Sequence, residues 1–263
     1  MNMLRALWAY RGFILGSVRR ELEARYSNSL LGVFWLVLNP LATISVYTLV
    51  FSQIMRPRLA GVEGAYAYSI YLCAGVLTWG YFTEVVSRAQ NVFIDNANLI
   101  KKLSFPRLCL PAIVVLSAAL NFVILALLFL GFLMLAGHFP GGVVLTALPV
   151  LLLQTVFSIG LGVTLGVFNV FFRDVGQFFG IAIGFWYWLT PIVYPVDILP
   201  AGIARWLSLN PMTPVIQAYQ RIFVSGLPPQ WETLLPVLGL AILLSSLGLV
   251  LFRRHAGDMV DEL

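Results

Sequence analysis

Apolar residues in this chain come in long unbroken runs, and polar residues gather in the short stretches between them. A helix needs about 20 apolar residues to cross the hydrocarbon core of a bilayer. Six segments meet that length: roughly 30–55, 66–88, 108–136, 143–172, 177–198 and 232–252. Pro40 and Pro149 fall inside two of them, as kinks that a membrane helix accommodates. The pattern predicts an all-α integral membrane protein, a single transmembrane domain whose six transmembrane helices occupy 30–252.

Two stretches depart from the pattern. In "LRALWAYRGFILGSVRRELEARY" (Leu4–Tyr26), the residues Leu4, Leu7, Trp8, Ile14, Leu15, Val18 and Leu22 fall within about 120° of one helix face. Arg19, Arg20 and Glu23 lie off that face, Arg11 interrupts it and Phe13 strays. The spacing predicts an amphipathic helix over 4–26, lying in the membrane interface ahead of the first span. The other stretch, "ILPAGIARWLSLNPMTPVIQAYQRIFVSGLPP" (Ile198–Pro229), is moderately apolar but is cut at Asn210-Pro211 and again at Pro214. A further span here would carry the C-terminal "FRRHAGDMVDEL" to the outside. Two short helices dipping into the outer leaflet fit the stretch, and so does a surface loop with two interfacial helices.

Composition agrees with a membrane setting. The chain is 60% hydrophobic and 10% charged, with a mean hydropathy of +0.92, where a soluble domain carries about 25% charged residues. A net charge of +5 is then no sign of nucleic-acid binding, because membrane proteins collect basic residues in cytoplasmic loops. With the N-terminus inside, 12 Lys and Arg fall on the cytoplasmic side, and 4 (Arg56, Arg58, Arg205 and Arg221) fall outside. Both termini are therefore predicted to be cytoplasmic, in a multi-pass protein. The N-terminus does not read as a cleavable signal, since its short apolar core runs into "RRELEAR". Cys73 and Cys109 suggest neither a disulfide framework nor a metal-ligand spacing.

Residues suited to catalysis are sparse. His138 and His255 sit at loop or tail positions. Glu84 lies well inside an apolar run, with Arg88 four residues later on the same face, which predicts an intrahelical ion pair. Asp174 beside Arg173 invites the same local reading. An ion-coupled carrier or channel usually shows more intramembrane charge than this, and a membrane-embedded sugar or acyl transferase would need His and Asp/Glu constellations. No GxxxxGK[ST] phosphate loop occurs, so any ATP-driven motor is expected to be a separate chain.

Aromatic residues are plentiful, with 19 Phe, 10 Tyr and 7 Trp. An interfacial belt explains many of them singly. The run Phe185-Trp186-Tyr187-Trp188 covers a full helical turn, so part of it must face the protein. Rings offer flat apolar faces that grip a sliding sugar chain weakly at many places. Phe34, Trp35, Tyr47, Phe51, Trp79, Tyr81, Trp186, Tyr187 and Trp188 are the candidates for such a path. The two lysines of the chain, Lys101 and Lys102, stand side by side in "DNANLIKKLSFPRLCLP" (Asp95–Pro111). Enforcing a cytoplasmic orientation accounts for their charge without a partner.

The segment "RYSNSLLGVFWLVLNPL" (Arg25–Leu41) resembles the R-Y-x-x-S-x-L-G-x-x-W-x-x-L-x-P start of the first span in permease subunits of polysaccharide-exporting type-2 ABC transporters. "FFRDV", "PIVYPVDILP" (Pro191–Pro200) and "LNPMTPVIQAYQRIFVSG" (Leu209–Gly226) match in the same order. The likeness covers nearly the whole chain and is nearest to O-antigen export permeases, with capsule and teichoic acid exporters as the alternative. Exporters of drugs or small lipids share the architecture but not the cargo.

This resemblance implies roles for the segments. The helix 4–26, through Arg19, Arg20, Arg25 and Tyr26, would border a cytoplasmic entrance for an undecaprenyl-linked polysaccharide. The segment 96–106 would be a coupling helix that fits a cleft of an ATPase subunit. In it, Asn98, Leu99, Ile100, Leu103 and Phe105 would frame and anchor the exposed Lys101 and Lys102. The pair of helices in 198–229 would close the outer end, with Tyr194, Asn210, Pro211 and Pro214 at the gate. The implied assembly is a homodimer with two nucleotide-binding ATPase chains, in contact with membrane lipid. ATP and magnesium would bind those partners, leaving this non-catalytic chain with no cofactor or metal.

Overall fold

The structure is a computed structural model and describes residues 8–26, 66–102 and 106–262, with isolated positions between 38 and 46. The predicted first span over 30–55 therefore lies outside the described residues, as does Pro40. All regular structure among the described residues is helical. In chain order the α-helices are α1 (Arg11–Tyr26), α2 (Ala67–Asp95), α3 (Ala97–Lys102), α4 (Cys109–Leu135), α5 (Ala147–Phe171), α6 (Asp174–Trp188), α7 (Ala201–Leu207), α8 (Met212–Ser225), α9 (Trp231–His255) and α10 (Asp258–Glu262).

Among the described residues, four stretches are long and apolar enough to cross a membrane: α2, α4, α9, and α5 together with the 3-10 turn Gly141–Thr146 that precedes it. They match predicted spans to within a few residues at most ends, although α2 runs on to Asp95. The predicted fifth span over 177–198 is corrected. Its helix, α6, stops at Trp188 after 15 residues, a length of about 22 Å at 1.5 Å per residue. The apolar run continues, but Pro191 and Pro195 remove backbone donors and push their preceding residues out of helical geometry.

Other prolines also sit differently from the prediction. Pro149 lies inside its span as expected, but in the first turn of α5, where it does not kink the helix. Pro214 likewise lies in the first turn of α8, so that stretch is broken at Asn210-Pro211 but not at Pro214. The first turn of a helix has no intrahelical acceptor for its N–H groups, so a missing one costs nothing there. Pro236 lies past the first turn of α9, inside that spanning helix.

The helices alternate in direction. α2, α5 and α9 run towards the end of the molecule that carries α3, here termed the lysine end; α4 and α6 run away from it. Helix α5 is the centre of the packing. Gly162 and Gly166 bring it against α2 so closely that added β-carbons would meet Ala89 Cβ at 2.6 Å and the Ala89 carbonyl at 2.8 Å. On its other side, an added β-carbon on Gly160 would stand 2.7 Å from the Ser245 backbone nitrogen of α9. Small residues spaced in this way let membrane helices approach backbone to backbone, where lipid provides no hydrophobic drive for association. Hydrogen bonds join the same three helices. Gln154 Nε2 donates to the Thr78 carbonyl at 2.8 Å, Ser245 Oγ to the Val156 carbonyl at 3.1 Å, and Thr164 Oγ1 to the Leu244 carbonyl at 3.2 Å.

The outward faces remain apolar: Leu127, Leu135, Leu145, Leu152, Leu243 and Val250 are all exposed. In water such a surface would be an aggregation patch, whereas in lipid it matches its solvent. The chain is a multi-pass membrane protein.

Candidate functional site

Chemistry-bearing side chains gather at the two ends of the helix bundle. At the lysine end, α3 is six residues long and stands on a buried anchor. Ile100 packs in a cluster with Phe93, Leu110, Val114, Phe252 and Met259, and Phe93 stacks on Phe252 at 5.4 Å. Lys101 and Asn98 are exposed, and Leu99 is half-buried. One helical turn thus holds an apolar foot inward and a cation outward. Lys102 belongs to the same helix, while Leu103 and Phe105 lie outside the described residues. The C-terminal tail underpins this knob: Met259 of α10 contributes to the cluster, and Arg107 Nη1 donates to the Ala256 carbonyl.

Helix α1 attaches nearby, against α4. Ile14 and Val18 are buried, whereas Leu15 and Trp8 are exposed although all four share the predicted apolar face. Arg19 pairs with Glu23 at 2.7 Å, and Arg20 donates to Ser17 Oγ at 2.9 Å. Both arginines lie on the exposed side of α1. Arg25 and Tyr26 close the helix, and their side chains are outside the described residues. The predicted Glu84–Arg88 pair exists at 3.4 Å but is part of a larger network. Arg88 Nη2 also donates to Glu21 Oε1 of α1. Ser117 Oγ donates to Glu21 Oε2 at 2.8 Å, and Asn121 Nδ2 to Glu84 Oε2 at 2.9 Å. The prediction missed Glu21, Ser117 and Asn121 because Glu21 lies 67 positions from Arg88.

Asp174 is corrected as well. It forms no ion pair with Arg173 among the described residues. It occupies the first turn of α6, where the positive end of the helix dipole favours a carboxylate. The turn before it is held by Asn169, which accepts from the Gly176 N–H at 2.9 Å and donates to Asn91 Oδ1 at 3.1 Å.

At the opposite end, the aromatic candidates separate by burial. Trp79 and Tyr81 of α2 are 7% and 3% exposed. Trp79 meets Trp186 and Tyr187 edge-on at 6.1 and 5.8 Å, and Phe82 lies 5.2 Å from Trp186. Tyr81 Oη shares a hydrogen bond of 2.7 Å with Thr155 Oγ1. Trp186 and Tyr187 are half-buried, and Trp188 is 65% exposed. Phe34, Trp35, Tyr47 and Phe51 lie outside the described residues.

The chain beyond α6 is organised by Asn210. Its Oδ1 accepts from Trp186 Nε1 at 2.8 Å and from the Met212 N–H at 3.0 Å. Its Nδ2 donates to the Leu189 carbonyl at 3.0 Å and to Thr190 Oγ1 at 2.9 Å. Pro211 then caps α8 and Pro214 sits within its first turn, while Tyr194 donates from its hydroxyl to the Trp188 carbonyl at 2.7 Å. Helices α7 and α8, of 7 and 14 residues, are both too short to cross a bilayer alone. Cys73 and Cys109 are buried free thiols.

A family model described as "ABC-2 type transporter" matches residues 14–224, from α1 to the end of α8. The chain belongs to the ABC-2 type transporter family. Among its curated relatives, the "O-antigen export system permease protein RfbA" of Myxococcus xanthus is 32% identical, with 100% of both chains covered. A protein of the same description from Klebsiella pneumoniae is 29% identical over 89% of this chain and 88% of its own. The "Polysialic acid transport protein KpsM" of Escherichia coli is 20% identical over 92% of this chain and 93% of its own. The family match takes in the lysine-end knob, the Arg88 network and the Asn210 hub. Helix α9 lies beyond it, but the Myxococcus relative covers that helix too.

Proposed function

We propose that this ABC-2 chain is the channel-forming membrane subunit of an ATP-driven exporter that moves a lipid-linked, O-antigen-like polysaccharide across the bacterial inner membrane. The observation that carries the reading is the likeness, over the full length of both chains, to a protein described as an O-antigen export permease. The more distant likeness to a polysialic acid transport protein favours capsule export as the second reading.

In this proposal two copies of the chain pair in the membrane, because few spans cannot enclose a wide sugar path alone. Each copy docks one ATPase subunit, which binds ATP and magnesium. The docking element is α3, with Ile100 as foot and Lys101 as contact, extended by Lys102, Leu103 and Phe105. The polar side of α1, with Arg19, Arg20, Arg25 and Tyr26, borders the cytoplasmic entrance, where an anionic lipid-linked head would meet cations. Both termini are then cytoplasmic. The α7–α8 pair is re-entrant and closes the outer end, hinged about Asn210-Pro211 with Pro214 and Tyr194 beside it. A neutral glycan needs many shallow contacts and no strong site, since a buried polar group that loses its partner costs about 1–3 kcal/mol. Exposed aromatics such as Trp188 suit that requirement.

Deletion of the chain in its native host tests the reading. Lipid-linked polysaccharide should accumulate on the cytoplasmic side, complementation should restore surface polysaccharide, and an ATPase should co-purify with the tagged chain. Normal surface polysaccharide of every kind in the deletion strain would overturn it.

A further inference from the structure

A cavity of about 390 Å³ opens at the end of the bundle opposite α3, within the size range of small-molecule sites. Tyr71 of α2 lines it, and Asp95 ends that helix 24 positions later. That places the cavity about 36 Å from the lysine end along the helix axis. Its other walls come from the segments 195–198 and 214–225 and from the start of α9. The motifs "PIVYPVDILP" and "LNPMTPVIQAYQRIFVSG" thus meet around one space.

The walls are fixed by hydrogen bonds that do not depend on a ligand. The Tyr71 hydroxyl donates to the Tyr194 carbonyl at 2.9 Å, with the Pro191 carbonyl at 3.1 Å as its alternative acceptor. Gln220 Nε2 donates to the same Pro191 carbonyl at 3.3 Å. Gly75 makes room for this junction, since an added β-carbon would stand 3.1 Å from Ile192 Cγ2 and 3.2 Å from Gln220 Nε2.

The lining contains polar groups not engaged by the protein: Asp197, Gln217 and Gln230 are exposed at the cavity, and Arg221 is half-buried. Asp197 accepts no hydrogen bond and forms no ion pair among the described residues. Arg221 commits its Nε to the Pro228 carbonyl at 2.9 Å, and its terminal nitrogens have no partner among the described residues. The side-chain amides of Gln217 and Gln230 are also unbonded among them. One carboxylate and one guanidinium share the cavity without pairing, so it selects for neither a simple anion nor a cation. Each glutamine amide offers a donor and an acceptor, the carboxylate accepts and the guanidinium donates. Pro195, Val196, Pro214 and Val224 supply apolar surface between these groups. Hydroxyl groups, each both donor and acceptor, on a body with apolar CH faces match this lining.

We infer that the cavity is a saccharide-binding site, formed by Asp197, Gln217, Arg221 and Gln230 on the side of the membrane away from the docking helix. It engages one or two sugar units. The inference rests on the exporter reading for the source of the sugar, namely the glycan as it emerges.

The test uses the full chain in lipid nanodiscs with its co-expressed ATPase. The probes are free galactose, mannose, rhamnose and N-acetylglucosamine, followed by saturation-transfer NMR. O-phosphoethanolamine serves as a soluble zwitterionic headgroup in a parallel arm. At least one sugar should bind saturably in the millimolar range. Asp197→Asn should weaken that binding fivefold or more, Gln217→Trp should fill the cavity and abolish it, and Gly180→Ala, where an added β-carbon meets nothing within 4 Å, should leave it unchanged. Failure of all four sugars to bind, binding that ignores both cavity variants, or preference for phosphoethanolamine overturns the inference. Surface polysaccharide made by cells carrying the unmodified chain is scored alongside. Its absence counts against the exporter reading, whereas its presence without sugar binding counts against this site alone.

Discussion

Arg88 of α2 donates through Nη2 to Glu21 of α1, so the N-terminal helix is fastened to a spanning helix by a half-buried ion pair. Glu84 shares the same guanidinium at 3.4 Å. Removing that cation would take away the group that joins the two carboxylates, while Ser117 and Asn121 would still donate to Glu21 and Glu84.

Arg88→Ala should therefore loosen α1. The expected loss is about 1–3 kcal/mol, the range for losing a charge-assisted hydrogen bond. Glu21→Gln, which keeps one acceptor oxygen for Arg88 and turns an amide N–H towards Ser117 Oγ, should cost less. Hydrogen exchange of residues 11–26 is the measurement, and unchanged protection in Arg88→Ala would show that apolar contacts of Ile14 and Val18 hold α1 without the ion pair.

Burial divides the tryptophans into two groups with different expected phenotypes. Trp79 packs against Phe82, Trp186 and Tyr187, so Trp79→Ala should cost about 3–5 kcal/mol and reduce membrane abundance. Trp188 is 65% exposed, and Trp188→Ala should leave abundance unchanged while slowing polysaccharide export. Export and membrane level measured together decide this; normal export in Trp188→Ala removes that residue from the sugar path.

The spans were legible wherever an apolar run and an unbroken backbone coincide, as in α4 and α9. They diverged at α6, because hydropathy continues through Leu189, Ile192 and Val193 while Pro191 and Pro195 end the helix. Pro149 and Pro214 were misread because their effect depends on where a helix starts, and a kink and a first turn look alike in sequence. The Glu84–Arg88 half of the ion network was visible at helical spacing. Glu21 was not, since its distance from Arg88 in sequence exceeds any local window. Aromatic content was evident from composition, but the face each ring takes depends on neighbours such as Trp79 and Asn210. The Gly162–Gly166 spacing went unread in the sequence, and with Gly160 it marks close helix approaches that only the packing reveals.

Glycine at 162 is expected to be indispensable. Gly162→Val would force a side chain into Ala89 of α2, where an added β-carbon already stands 2.6 Å from the Ala89 Cβ, and overpacking costs about 1–3 kcal/mol when neighbours can shift. Here the Ala89 methyl is fixed to its helix and the Val86 carbonyl stands 3.2 Å away, so the cost should lie at the upper end and membrane abundance should fall. Gly180→Ala is the matched control, with no atom within 4 Å of its added β-carbon. Equal abundance of the two variants would refute the close-packing argument.

Docking through α3 has its own expected outcome. The triple variant Lys101→Ala, Lys102→Ala, Phe105→Ala should insert normally yet lose ATPase co-purification, and Ile100→Ala should weaken docking indirectly by releasing the foot of α3. Unchanged co-purification and unchanged ATP hydrolysis in the triple variant would assign docking to another surface.

The glycine contacts of α5 also have a mechanical consequence. Helices that touch through long side chains can slide by changing rotamers, whereas helices in backbone contact have almost no slack. Helices α2, α5 and α9 therefore move as one beam. The knob at 97–102 is attached to the foot of α2, and the tail at 258–262 to the foot of α9. If α3 is the docking element proposed above, a load on Lys101 is expected to tilt α2, α5 and α9 together towards the Tyr71 end.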